Sequence, residues 1–202
     1  MKNLYLRSAV ALACALSLAA CGGDDDGTMQ LSGAVEGVTI AGLVLQNKGG
    51  PDLKVEPFAS NFVFPDLIAS NTDYDVTIKS APSNATCKMI NGKGKSSAYG
   101  IGQIGVSCTL IPHDVKGKIV GLSSGPLVII NGTYRLTIPA NQSAFNLTQL
   151  DADGKTKRGE VGETQAYGLS VLQQPPGLTC RIDNAVGTMA KADVDNILIT
   201  CN

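Results

Sequence analysis

The sequence has 202 residues, with 16 Lys plus Arg against 17 Asp plus Glu and a formal net charge of −1. This balance excludes general nucleic-acid binding, which needs a concentrated basic face. Trp is absent and aromatic residues make up 4% of the chain. That scarcity disfavours sugar-binding platforms and single-strand nucleic-acid grooves, because both rely on exposed aromatic faces.

The first element along the chain is a predicted signal peptide over residues 1–20. Lys2 and Arg7 supply a positive start, and an apolar run of twelve residues follows from Ala9 to Ala20. Twelve residues are too few to cross a hydrocarbon core of about 30 Å, so the segment is typical of a signal peptide and not of a membrane anchor. Its removal leaves 14 basic and 17 acidic residues, a net charge of −3.

Cys21 is the predicted lipid anchor. The residues "LAAC", from Leu18 to Cys21, resemble the lipobox of bacterial lipoproteins. This resemblance implies cleavage before Cys21, a diacylglycerol on its thiol and a further acyl chain on its new amine. Two or three chains anchor a protein durably, because each buried methylene contributes about 0.8 kcal/mol. The alternative is a plain secreted protein with a stray cysteine.

Residues 21–30 are predicted to be the lipidated cysteine followed by a flexible acidic tether, "GGDDDG". Gly22 stands where an aspartate would favour retention in the inner membrane of enteric bacteria. The lipobox resemblance therefore implies the outer membrane, with the protein facing the periplasm or the cell surface.

Two halves of about 80 residues then repeat the same residues in the same order. "TCKMINGKG" at Thr86 returns as "TCRIDNAVG" at Thr179. Both halves keep 13 residues from a tyrosine to the first cysteine and 21 from that cysteine to the next. These spacings predict a duplicated domain, with repeat 1 over residues 31–110, a linker over 111–114 and repeat 2 over 115–202.

Each half is predicted to consist of short strands, because apolar and polar residues alternate with a period of two. In "DYDVTIK", the residues Tyr74, Val76 and Ile78 share one face of a half-buried strand. Gly-, Asn- and Asp-rich turn signals separate the runs. The pattern predicts about seven antiparallel strands per half and an immunoglobulin-like sandwich of two sheets. The predicted strands of repeat 1 lie near 32–38, 42–47, 52–57, 61–65, 73–80, 86–91 and 103–110.

The same alternation sorts the aromatic side chains. Core packing is the predicted role of the residues with inward parity, which are Phe62, Phe64, Tyr74, Phe145 and Tyr167. The residues left free are Phe58, Tyr99 and Tyr134.

The apolar pattern, which includes "GLVLQN" from Gly42 to Asn47, is similar to that of transthyretin-like and carboxypeptidase-regulatory-like sandwiches. It resembles more closely the cysteine-paired tandem repeats of bacterial surface lipoproteins, over residues 31–110 and more loosely over 115–202. Such modules usually belong to larger proteins, so the resemblance implies a fold and little activity.

Four cysteines remain once Cys14 leaves with the signal peptide and Cys21 is acylated. Outside the cytoplasm they imply two disulfides, with three possible connectivities. Strand parity points all four sulfur atoms into the cores, and the duplication favours pairing within each repeat. A metal site or redox pair is the alternative, although CxxC spacing and clustered histidines are absent from the sequence. The favoured pairs are Cys87–Cys108 and Cys180–Cys201.

His113 is the single histidine of the chain, and it lies in the predicted linker "TLIPHD". A catalytic role would need a pocket and a neighbouring nucleophile, whereas linker residues are usually solvated. The sequence contains no Walker-type motif, and it shows no sustained helical period of the kind that the nucleophile-elbow and dinucleotide-binding motifs require. No catalytic residue, cofactor or metal is therefore predicted.

The loop from Asp151 to Ala166 is the main departure between the repeats, with sixteen residues in place of six. Read as an EF-hand loop starting at Gln149, it places Asp151, Asp153 and Glu160 at the third, fifth and twelfth positions. Glutamine replaces the first ligand, and three basic side chains between Lys155 and Arg158 oppose a cation. A solvated, mobile loop is the favoured interpretation, with a partner-binding loop and a calcium site as alternatives.

These observations predict a non-catalytic, lipid-anchored protein of the bacterial cell envelope, which serves in binding, display or structural spacing. Its expected partners are the membrane, through Cys21, and an unidentified envelope protein or surface ligand. An adhesin-like binder at the cell surface is one alternative, and a concave apolar patch between the domains would favour it over a spacer. An accessory subunit of an envelope enzyme is another, and it would need a polar cluster at their junction.

Overall fold

The computed structural model describes residues 27–97, 101 and 103–202. The predicted signal peptide, Cys21 and Tyr99 lie outside these residues, so the expectations for them stay predictions. The described residues form twenty strands and no helix. Within this part of the chain, no helix is long and apolar enough to cross a membrane.

Repeat 1 is a sandwich of two four-stranded sheets. One sheet has the order β4-β1-β8-β6 and the other the order β3-β2-β5-β7. Between them lies a core that includes Leu31, Leu43, Leu45 and Val76, each at most 1% exposed. The strands are β1 (Thr28–Glu36), β2 (Leu43–Asn47), β3 (Leu53–Val55), β4 (Asn61–Ala69), β5 (Asp73–Ser80), β6 (Ala85–Ile90), β7 (Lys93–Lys95) and β8 (Gly105–Leu110).

Repeat 2 has the same topology around its own core, which includes Leu127, Ile129, Ile197 and Ile199. β9 (Pro112–His113) lies in the linker, and the strands of repeat 2 are β10 (Val115–Val120), β11 (Leu127–Asn131), β12 (Tyr134–Ile138), β13 (Ala144–Asn146), β14 (Gln149–Leu150), β15 (Lys157–Arg158), β16 (Val161–Gly162), β17 (Ala166–Gln173), β18 (Cys180–Asp183), β19 (Val186–Thr188) and β20 (Val194–Cys201). Its sheets are β13-β10-β20-β18 and β12-β11-β17-β19, the order of repeat 1 strand for strand.

The predicted fold class, tandem all-β sandwiches, is confirmed. Three details differ from the prediction. Repeat 1 begins earlier than residue 31, because β1 already starts at Thr28, inside the segment predicted to be a flexible tether. The first and last strands of each repeat pair in parallel, β1 with β8 and β10 with β20, while the other pairs are antiparallel. An eighth strand, β7, occupies a segment that the sequence predicts to be a turn, and its Gly94 lies opposite Tyr74.

The repeated glycines have a common steric cause. A Cβ at Gly94 would lie 2.6 Å from Cζ of Tyr74, and one at Gly187 would lie 2.7 Å from Cζ of Tyr167. The tyrosine ring of each repeat therefore lies over the glycine of the neighbouring strand, and both halves keep the pair.

The aromatic residues follow the predicted parity with one exception. Phe62, Phe64, Tyr74 and Phe145 are buried, and Tyr167 packs partly buried against the core of repeat 2. The expectation that Tyr134 is free is wrong, because its ring packs partly buried against that core and lies beside Gly159.

The structure joins Cys87 to Cys108 and Cys180 to Cys201, the pairs that duplication favours. In each repeat the two cysteines lie directly opposite each other on adjacent antiparallel strands, with Cα atoms 4.0 Å apart. Each bridge therefore links neighbours within one sheet and does not cross the sandwich.

Phe58 occupies a backbone conformation that is unfavourable for its type. It follows Pro57 in a turn closed by the Ala59 N–H on the Glu56 carbonyl, its φ is +62°, and its side chain is 79% exposed. The equivalent residue of repeat 2 is Asn141, with φ +64°. Asparagine tolerates the left-handed region, whereas other non-glycine residues pay about 1–2 kcal/mol there.

We expect Phe58→Asn to raise the free energy of unfolding of repeat 1 by about 0.5–1 kcal/mol, because strain is relieved and little apolar contact is lost. Denaturant unfolding followed by a probe in repeat 1 measures the change. The reciprocal substitution, Asn141→Phe, is the matched control and should destabilise repeat 2 by a similar amount. A loss of stability in Phe58→Asn would show that the ring makes contacts that outweigh the strain.

Candidate functional site: the joint between the repeats

The ten additional residues of repeat 2 form an insertion inside a strand. In repeat 1, β4 is one continuous strand with a shift of register between Val63 and Leu67, and its Ile68 and Ala69 pair with Met29 and Thr28. In repeat 2 the equivalent strand stops at Asn146 as β13 and resumes as β16, whose residues pair with β9 in the same register. The insertion therefore ends at Glu160, and the sequence-based assignment of residues 151–166 to one loop is wrong.

The returning segment, Val161–Gln165, contacts repeat 1 and the linker. Val161 pairs with His113 and Gly162 with Pro112. The N–H of Glu163 then donates to the carbonyl of Ile111 at 2.9 Å. The prediction of a solvated loop is thus wrong for this segment, because Val161, Gly162 and Glu163 are all buried.

Three polar side chains join loops from both repeats. Asn84, 1% exposed, donates from Nδ2 to Oγ1 of Thr39 at 2.8 Å and reaches Oγ1 of Thr164 at 3.3 Å. The two threonine hydroxyls lie 3.1 Å apart, and the carbonyl of Asn84 accepts from the N–H of Ile111 at 2.9 Å. We call these contacts, with the β9–β16 pair, the joint.

A packing contact completes the joint. A Cβ at Gly162 would lie 2.6 Å from Cβ of Leu110 at the end of β8, so the two repeats approach as closely as a glycine permits. The equivalent residue of repeat 1 is Ala69, where no second repeat needs the space.

Residues of the joint depart from their duplicates. Thr164 has φ +69° although it is β-branched. Its equivalent in repeat 1 is Asn71, which has φ +59°, and asparagine tolerates this backbone conformation. Asn84 corresponds to Gly177, which lies at the far end of repeat 2. The joint therefore contains residue types that the equivalent positions of the other repeat do not have.

His113 lies beside the joint and is not solvated as predicted. Its Nε2 lies 3.1 Å from Oε1 of Glu163 and its Nδ1 lies 3.7 Å from Oδ1 of Asp193. The side chain of His113 is 18% exposed and that of Glu163 is 6% exposed. The contact with Glu163 links β9 to the segment that follows β16.

Asp193 ties the starts of β10 and β20 together. Its Oδ2 accepts from Nζ of Lys116 at 2.6 Å and its Oδ1 accepts from the N–H of Asp114 at 3.0 Å. The hydrogen bond from Lys116, followed by that from Asp114, lowers the pKa of Asp193, and the same ion pair raises the pKa of Lys116. These charged groups stabilise the entry of the chain into repeat 2.

A groove of about 540 Å³ opens where the two repeats meet. Its lining mixes Glu36, Thr39 and Gln165 with the apolar side chains of Leu110 and Pro112, and it does not include His113. The groove therefore presents both polar and apolar groups, and Thr39 of the joint is among the residues that line it.

The inserted hairpin, β14 with β15, uses its acidic groups internally. Asp151 pairs with Arg158 at 2.6 Å, and Lys157 lies 3.3 Å from Glu160. Asp153 accepts from the N–H groups of Lys155 and Thr156, and these bonds lower its pKa. Among the described residues, no group of three or more His, Cys, Asp or Glu side chains is placed to hold a metal ion.

A comparison of the two halves, residue by residue, could have located the joint from sequence. The departures Asn71 to Thr164 and Ala69 to Gly162 become visible once the insertion is placed inside the strand. Matching Phe145 and Leu150 with Phe62 and Leu67 of repeat 1 puts the insertion after Leu150, and this match hides the equivalence of β16 with the end of β4.

No protein-family model and no curated protein matches the chain. Among solved structures, it is similar to the Bacillus anthracis TIE protein, with 10% identity and a TM-score of 0.42 over 86% of this chain and 34% of that one. It is also similar to two B repeat units (B1B2) of the collagen binding protein CNA of Staphylococcus aureus, with 13% identity and a TM-score of 0.25, over 87% of this chain and 49% of that one. The chain spans less than half the length of either structure, and likenesses of this size carry no argument about function.

Proposed function

We propose that this chain is a non-catalytic, lipid-anchored protein of the bacterial cell envelope whose two repeats form a spacer of fixed geometry for display or binding. The observation that carries the proposal is the joint. A flexible linker would let the repeats move independently, whereas the β9–β16 pair, the buried Asn84 and the Gly162–Leu110 contact favour a single arrangement.

The second part of the proposal is that Cys21 carries the lipid anchor, and the expected location is the outer membrane. The apolar run that ends in "LAAC" and the polar tether support it. The tether is short compared with a sandwich, so an anchored protein would hold its distal end at a distance set by the repeats and by their joint.

Gly162→Ala should loosen the joint, because the new Cβ meets Leu110 while the fold of repeat 2 accepts alanine at this position, as Ala69 shows in repeat 1. Pulsed electron paramagnetic resonance between spin labels at the exposed positions Lys88 and Arg181 measures the effect. We expect one narrow distance distribution in the parent and a broader one in the variant, with the thermal midpoint of repeat 2 nearly unchanged.

Gly168→Ala is the matched control, since the nearest atom to its added Cβ, in Val186, lies 3.7 Å away. It should keep the narrow distribution of the parent. A parent distribution already as broad as that of Gly162→Ala would contradict a spacer of fixed geometry.

Cys21→Ser should abolish incorporation of labelled palmitate and release the protein from the membrane fraction, because the thiol that carries the diacylglycerol is removed. Metabolic labelling followed by membrane fractionation is the measurement, and Cys14→Ser is the control that should retain both properties. Labelling that survives in Cys21→Ser would refute the lipid anchor and leave the joint unaffected.

A further inference from the structure

We infer that each repeat carries a clamp against tension along the chain, formed by the parallel pairing of its first and last strands. The inference rests on the proposed anchored spacer, because tension arises when an anchored protein holds a partner at its far end. In repeat 1, Ala34–Glu36 of β1 pair with Gly105–Ser107 of β8. In repeat 2, the parallel pair of β10 and β20 extends from Val115 to Val120.

Parallel pairing sets the direction of the load. Since β1 and β8 run the same way side by side, the chain enters one end of the sandwich and leaves at the opposite end. Tension between the chain ends therefore acts along the strands, and the hydrogen bonds between them must break together. If both ends left from the same end of the sandwich, these bonds would break one after another at lower force.

The disulfides direct the load onto this pair. Cys108 on β8 is bonded to Cys87 on β6, on the side of β8 that faces away from β1. Tension cannot peel β8 from β6, so repeat 1 yields where β1 meets β8. The bridge also carries the force past residues 88–107, which limits the length of chain released.

Repeat 2 has the same arrangement, with Cys201 of β20 bonded to Cys180 of β18. The joint transmits the load between the two clamps. β8 ends at Leu110, and the next residue, Ile111, is hydrogen-bonded to both repeats through Asn84 and Glu163. The connection therefore passes directly from the last strand of one clamp towards the first strand of the next.

Single-molecule force spectroscopy on the full mature chain, carrying Cys21→Ser and a handle at each terminus, tests the clamp. The comparison uses the same protein with its second handle at Lys48, an exposed residue of the turn after β2, at the same end of repeat 1 as the start of β1. Rupture of repeat 1 should need at least about twice as much force when the protein is pulled by its two termini as when it is pulled by the N-terminus and Lys48. The reason is that three paired positions resist together in the first case. A rupture force between the termini that is equal to or lower than the force between the N-terminus and Lys48 would overturn the clamp.

Reduction of the disulfides provides a second readout. With the bridges intact, the length released by each repeat should be shorter than after reduction by about 70 Å, since each bridge spans 21 residues. Equal lengths under both conditions would overturn the role of the bridges. Neither result depends on lipidation or on the spin-label distances, so failure of the clamp is distinguishable from failure of the proposed spacer.

Discussion

Gly121→Ala should destabilise repeat 2 by about 3–5 kcal/mol, a loss at the upper end of the effects of single substitutions. Gly121 follows β10 with φ +80°, and an added Cβ would overlap the carbonyl oxygen of Cys201. The left-handed conformation alone costs alanine about 1–2 kcal/mol. The overlap adds to this cost, because relieving it must move the backbone of β20, which lies in the core sheet and carries the disulfide.

Gly132→Ala separates the two contributions. Gly132 has φ +56° and no atom within 4 Å of an added Cβ, and its equivalent in repeat 1 is Lys48 with φ +51°. It should therefore lose only the conformational part, about 1 kcal/mol. Denaturant unfolding of both variants measures the difference, and equal losses would show that the contact with Cys201 is unimportant. Gly37→Ala should repeat the larger loss in repeat 1, where the added Cβ meets the carbonyl of Cys108.

The architecture of each repeat was predictable from sequence because the signals for it are local or repeated. Alternation in "DYDVTIK" marks β5 with its buried Tyr74 and Val76, and the constant spacing of the cysteines marks the strands that they join. The parallel pairs were not predictable in this way. Parallel pairing of β1 with β8 depends on contacts between residues about 70 apart in the chain, such as Ala34 and Gly105, and alternation carries no information about a partner strand.

The joint escaped prediction for a different physical reason. Alternation identifies which side of a strand is buried and does not reveal burial at the ends of a sandwich, where Asn84, Gly162 and Glu163 lie. His113 illustrates the point. A histidine in a short linker is usually solvated, but pairing of β9 with β16 brings two carboxylates to its ring, and this pairing depends on a chain that leaves the sheet at Asn146 and returns at Val161.

Removal of one disulfide should weaken the repeat that contains it and spare the other. We expect the double substitution Cys180→Ala with Cys201→Ala to lower the free energy of unfolding of repeat 2 by about 3 kcal/mol, because the bridge closes a loop whose entropy is otherwise gained on unfolding. A domain of this size buries only about 60% of its unfolded surface, so the loss is a large share of its stability.

Hydrogen exchange during a denaturant titration of the full chain measures the stability of each repeat separately. Protection of β18 and β20 should disappear at lower denaturant in the variant, while protection of β6 and β8 stays at the value of the parent. The corresponding pair of substitutions at Cys87 and Cys108 is the matched control and should invert the pattern. A fall in the protection of both repeats in either variant would contradict two separate cores, since each bridge links two strands of one sheet within its own repeat. Unfolding of repeat 2 alone would leave the hydrogen bond from Asn84 to Thr39 in place, because both residues belong to repeat 1.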